Sequence, residues 1–70
     1  MILGLDVSSS KIGYSVINDN KELLLCQVKK FKSSVSLETR ALEFYSILND
    51  INNKYNINKI MIEAPFMAFS

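Results

Sequence analysis

The sequence predicts an α/β domain of order βββαβ, with strands one to three antiparallel and strand four parallel to strand one. Three observations lead there. Residues 2–7, 12–17 and 22–31 are apolar or alternating runs parted by short Ser-rich and Asn-rich turns. A stripe of apolar residues then recurs at helical spacing through residues 37–55. A last apolar run, 59–64, ends at Pro65, which cannot continue a ladder.

The first run, ILGLDV, is almost continuously apolar, as in a strand covered on both faces. Ser8, Ser9, Ser10 and Lys11 read as a turn, so the second run, in which Ile12, Tyr14 and Val16 alternate with Gly13, Ser15 and Ile17, forms a hairpin with the first. Asn18, Asp19 and Asn20 make the next turn. The third strand loses its alternation near Lys29 and Lys30, where either a bulge or an early end of the strand is expected. Ser36 is the expected helix N-cap, with Glu38 in the first turn favouring the positive helix end. Leu37, Ala41, Phe44, Leu48, Ile51 and Tyr55 share one face of a helix about five turns long, which ends among Asn52, Asn53 and Asn56. A helix between strands is the usual crossover to a parallel position, and the apolar first strand is the natural partner for the fourth.

Seventy residues form one small domain at most, with little apolar area to bury. Cys26 is alone and histidine is absent, which excludes a disulfide and argues against a zinc or thiolate site. Cys26 is expected in the core as a small hydrophobe. A net charge of +1 gives no global field for nucleic acid, so any such affinity must come from a local patch. The longest apolar runs are too short to span a bilayer and the N-terminus has no charged leader region, so a soluble, cytoplasmic protein with no membrane partner is expected.

Asp6 stands out because it closes an apolar strand, where a lone carboxylate would be costly to desolvate. If strands one and four are parallel neighbours, Asp6 and Glu63 lie near their carboxyl ends, roughly 5 Å apart. Open α/β sheets place ligands there. Two such carboxylates repel unless a hard cation such as Mg²⁺ or Mn²⁺ sits between them. A plain solvent-facing or structural acid is the competing reading, since many α/β strands end in Asp or Glu.

The stretch ILGLDVSSSKIGYSVI resembles the first motif of RuvC-type Holliday junction resolvases, an apolar strand, Asp-Pro-Gly-Ser, then Gly-Tyr-Gly-Val-Ile. MIEAPFMAFS is similar to that family's second motif, Ile-Glu followed two residues later by Phe-Met-Ala, at about the same distance downstream. The resemblance implies a ribonuclease H-like fold and a metal-dependent endonuclease that cleaves DNA four-way junctions in a bacterial or phage setting, homodimeric when complete. It implies two Mg²⁺ or Mn²⁺ ions, with Asp6 bridging them and Glu63 binding one. Phe66 matches an aromatic residue near the junction's exchange point, where it would stack on an unpaired base; a core aromatic is the other reading. Lys11, Lys29 and Lys30, with Lys32, are candidate phosphate contacts or, more simply, solvated lysines.

Val7 and Ser8 stand where the family has Pro-Gly, and Phe69 and Ser70 where it tends to have polar residues. Family members continue into a fifth strand and a C-terminal pair of ligands, so residues 1–70 are expected to be the N-terminal part of one nuclease domain. Alone they are expected to be inactive or nearly so, with a separately encoded C-terminal half as a possible partner. The rivals are an actin-like ATPase or sugar-kinase phosphate module, whose first motif is also a strand, an Asp and a Ser-rich turn, and a non-catalytic remnant that binds a partner through its unfinished edge. An RNA-guided effector's RuvC-like domain shares the first motif.

Overall fold

The computed structural model describes residues 1–63. Three strands, β1 (Ile2–Val7), β2 (Lys11–Ile17) and β3 (Leu23–Lys30), precede helix α1 (Leu37–Lys54) and strand β4 (Lys59–Glu63). The strands form one mixed sheet in the order β3-β2-β1-β4, antiparallel between β1 and β2 and between β2 and β3, and parallel between β1 and β4. The expected α/β order and strand directions are therefore present.

Each connection has a local cause. In the 8–10 turn, the Ser8 amide donates to the Lys11 carbonyl at 2.9 Å and the Ser8 hydroxyl accepts from the Lys11 amide at 3.2 Å. In the next turn the Asn18 side-chain oxygen accepts from the amides of Asn20 and Glu22, at 3.0 and 2.9 Å, and Lys21 takes a positive φ of 64°. An Asn side chain used this way substitutes for backbone turn bonding. Ser36 caps α1, its hydroxyl accepting from the Thr39 amide at 3.1 Å. The helix runs past Asn52 and Asn53 and is closed at Tyr55, whose amide donates to the Ile51 carbonyl at 2.8 Å.

Because side chains alternate across a strand, the sheet has two unlike faces. Leu3 and Leu5 of β1 and Val16 of β2 point toward α1 and pack with Ile51, all four being buried. Phe44, Ile47, Leu48 and Tyr55 complete that layer from the helix, and Met1, Tyr14, Leu25 and Ile57 from around it. The apolar stripe thus lies further along the helix than its first residues suggest: Ala41 is exposed and Leu37 is 77% exposed. An 18-residue helix is about 27 Å long, against about 20 Å for six-residue β1, so the first turn overhangs the sheet beside the 8–10 turn and Phe31.

Three further expectations are corrected. The irregularity in β3 falls not at Lys29 and Lys30, which pair regularly with Ile12 and Lys11, but at Leu24, an extra residue between the pairs Val16 with Leu25 and Ile17 with Leu23. Cys26 is exposed rather than in the core, because it shares the face of Ser15, the side away from α1. Asp6 is likewise exposed, and no charged or polar residue is buried among the described residues. No helix among them is long and apolar enough to cross a membrane.

With so few buried residues, each carries a large share of stability. Leu3→Ala is expected to cost about 2–5 kcal/mol, most of the margin of a domain this small, and chemical denaturation should show the midpoint collapsing. The same change at an exposed position, Leu37→Ala, should leave it nearly unmoved.

Candidate metal centre and the open sheet face

The face of the sheet away from α1 can be read strand by strand. On it, Glu63 of β4, Asp6 of β1, Gly13 of β2 and Val28 of β3 form one cross-strand row. The next row is Met61, Gly4, Ser15 and Cys26. Together these rows floor a shallow trough of about 420 Å³. Its middle is low because, Asp6 apart, its two central strands contribute only Gly4, Gly13 and Ser15 to these rows.

Asp6 and Glu63 are register partners in the parallel pair, so their side chains leave the sheet on the same side. Adjacent strands lie about 4.8 Å apart, well within the reach of two carboxylates toward one ion. Both residues are exposed, and among the described residues neither has an ion-pair partner. The desolvation cost foreseen for Asp6 does not arise; the proximity of the two acids does. Oxygen donors of this kind suit a hard divalent cation. Among the described residues no third acid, His or Cys joins them, so the pair offers a partial coordination shell.

The lysines divide between the two faces. Lys11 and Lys30 are direct partners across β2 and β3. Two residues along from Gly13 and Val28, they stand on the open face beyond the acid row. Lys29 points the other way, where its ammonium lies 3.6 Å from the Glu43 carboxylate of α1 and 5.9 Å from the Phe31 ring centroid. Lys29 is therefore separated from the lysines expected to act with it. The Phe66 assignment lies outside the described residues. Tyr14 keeps its ring against the core and donates its hydroxyl to Gln27 at 2.9 Å.

One participant was not legible in the sequence. Arg40 donates from Nη1 to the Ser9 carbonyl at 2.8 Å and from Nη2 toward the Ser33 carbonyl at 3.5 Å, while its Nε is shut off from solvent with no hydrogen-bond partner among the described residues. It ties the 8–10 turn, which separates Asp6 from Lys11, to the helix. A second tether comes from the Phe31 amide, which donates to the Ser10 carbonyl at 2.8 Å. The only sequence signal was Arg40's position one turn after the Ser36 cap, where arginine is ordinarily a surface residue.

No family model, no curated protein and no solved structure matches this chain.

Arg40→Met keeps most of the aliphatic stem and removes the donors. It is expected to cost about 1–2 kcal/mol and to speed amide exchange at Ser8 more than at Val16 in the buried sheet. Equal acceleration at both sites would mean that Arg40 supports the fold as a whole and not the turn.

Proposed function

We propose that residues 1–63 are the metal-binding side of a ribonuclease H-like nuclease domain, of the RuvC-type resolvase kind, acting on DNA four-way junctions. The observation that carries this reading is the placement of Asp6 and Glu63 as register partners on one face, at the carboxyl ends of neighbouring parallel strands. The two motifs that resemble the resolvases are the ones that supply these acids, and the order and direction of the strands suit such a fold.

In this reading Asp6 and Glu63 hold Mg²⁺ or Mn²⁺ through carboxylate oxygens. An ion bound there supplies Lewis-acid stabilisation of phosphate charge and a more acidic water for hydrolysis. The chain's own contribution is to fix the two acids. β1 is hydrogen-bonded on both edges, so Asp6 sits on an interior strand of the sheet. The low floor at Gly13 leaves room beside Asp6 for a phosphodiester. Two carboxylates do not fill a divalent ion's shell, so further ligands come from water, from the substrate or from residues beyond position 63.

The test is a Mn²⁺ titration followed by NMR. Signals of Asp6, Gly13 and Glu63 should broaden first, and Asp6→Asn should abolish the selectivity. Where a polypeptide carrying this segment cuts a synthetic four-way junction with Mg²⁺, the same substitution should eliminate cutting and spare junction binding. Unselective broadening, or cleavage that survives Asp6→Asn, would remove Asp6 from the mechanism.

A further inference from the structure

We infer that Lys11 and Lys30 form a seat for one stretch of a nucleic-acid backbone, on the same face as the acid pair and separated from it by the floor at Gly13. This inference rests on the reading above and specifies how that face would hold its substrate.

Three observations converge on it. First, Lys11 and Lys30 are directly opposed across an antiparallel pair, a juxtaposition of like charges that destabilises a sheet. Nothing among the described residues relieves it, since neither ammonium has an ion-pair partner there. Lys29, one residue away, does have its carboxylate, Glu43, on the other face. The fold thus neutralises the lysine facing the helix and leaves two facing outward together.

Second, at this end of the face the charges are sorted, Lys59 of β4 lying at the opposite end. Acids occupy the ends of β4 and β1, and lysines occupy β2 and β3 at the same end of the sheet. A polyanion lying across all four strands would meet lysines at one point and, through a cation, the carboxylates at another. Third, the ground at Gly13, beside Asp6 and two residues from Lys11, is kept low although nothing in the described structure requires it. A Cβ built on Gly13 would lie 3.6 Å from the Asp6 Cβ, an ordinary contact, and the φ of Gly13 is not positive. Glycine inside a strand weakens it and often marks close approach by a ligand.

The chemical class that fits is a phosphodiester chain, whose repeating charges can engage separated cationic points. Phosphate contacts of this kind position the strand without reading its bases.

The experiment measures binding of a fluorescent synthetic four-way junction as a function of salt, in EDTA, so that the metal plays no part. Lys11→Gln and Lys30→Gln should each lower the slope of log K against log salt by about 0.9, and the double variant by about 1.8. Lys29→Gln should leave the slope unchanged, and Lys11→Arg should retain it. Thermal unfolding should show the glutamine variants no less stable than the parent, because a repulsion has been removed. The inference is overturned if the parent does not bind, if the Lys11 and Lys30 variants keep the parental slope, or if Lys29→Gln lowers it as much. Slope changes as expected alongside failed Mn²⁺ binding at Asp6 would support the lysine seat and remove the nuclease reading.

Discussion

The structure depends on β1 being paired on both edges. It runs antiparallel to β2 along its whole length and parallel to β4 along five residues, with Ile2 opposite Lys59 and Asp6 opposite Glu63. A parallel neighbour cannot be reached by a tight turn, so the chain needs a crossover, and α1 provides it. The same crossover brings Ile51 down on Leu3, Leu5 and Val16 to make the core. One pairing thus fixes both what holds the domain together and which acids meet.

Register enforces the result. A slip of one residue between β1 and β4 would turn Ile60 and Ile62 outward and carry Glu63 to the helix side, since side chains alternate with a period of two. Ile60, though 55% exposed, lies with Leu3, Leu48 and Ile51 around a cavity on the helix side, so the present register keeps Ile60 and Ile62 of β4 toward α1. The placement of Glu63 beside Asp6 is in this sense a consequence of apolar residues on the opposite face. Asp6 is held in the same way by Leu5.

Much of this was legible because it follows from local rules. The hairpin turns, the Ser36 cap and the length of α1 are written in short stretches, and the helix-borne crossover implies a parallel fourth strand. What was not legible depended on which face lacks a covering layer. Cys26 and Asp6 looked buried because an apolar strand was taken to be covered on both sides, whereas only the α1 side is covered among the described residues. Lys29 and Lys30 are neighbours in sequence but face opposite ways, which follows from strand alternation once the bulge is placed at Leu24 and not beside them. The role of Arg40 was not legible, because its partners are backbone carbonyls, Ser33 seven residues away and Ser9 in a turn 31 residues away.

The two glycines make the clearest distinction between what the described fold requires and what the open face shows. Gly4 and Gly13 both sit inside strands, where glycine carries an entropic cost, and neither has a positive φ. At Gly4 a Cβ would come within 2.9 Å of the Ser15 Oγ, so crowding favours glycine unless that hydroxyl rotates away. At Gly13 the nearest approach is an ordinary contact, and packing makes no such demand. A larger side chain at 13 would, however, rise between Asp6 and Val28 and divide the trough beside the acid pair, next to the row that carries the two outward lysines. The absence of a side chain there thus costs the strand some stability and keeps a continuous surface, which is what an extended polyanion crossing the strands would need.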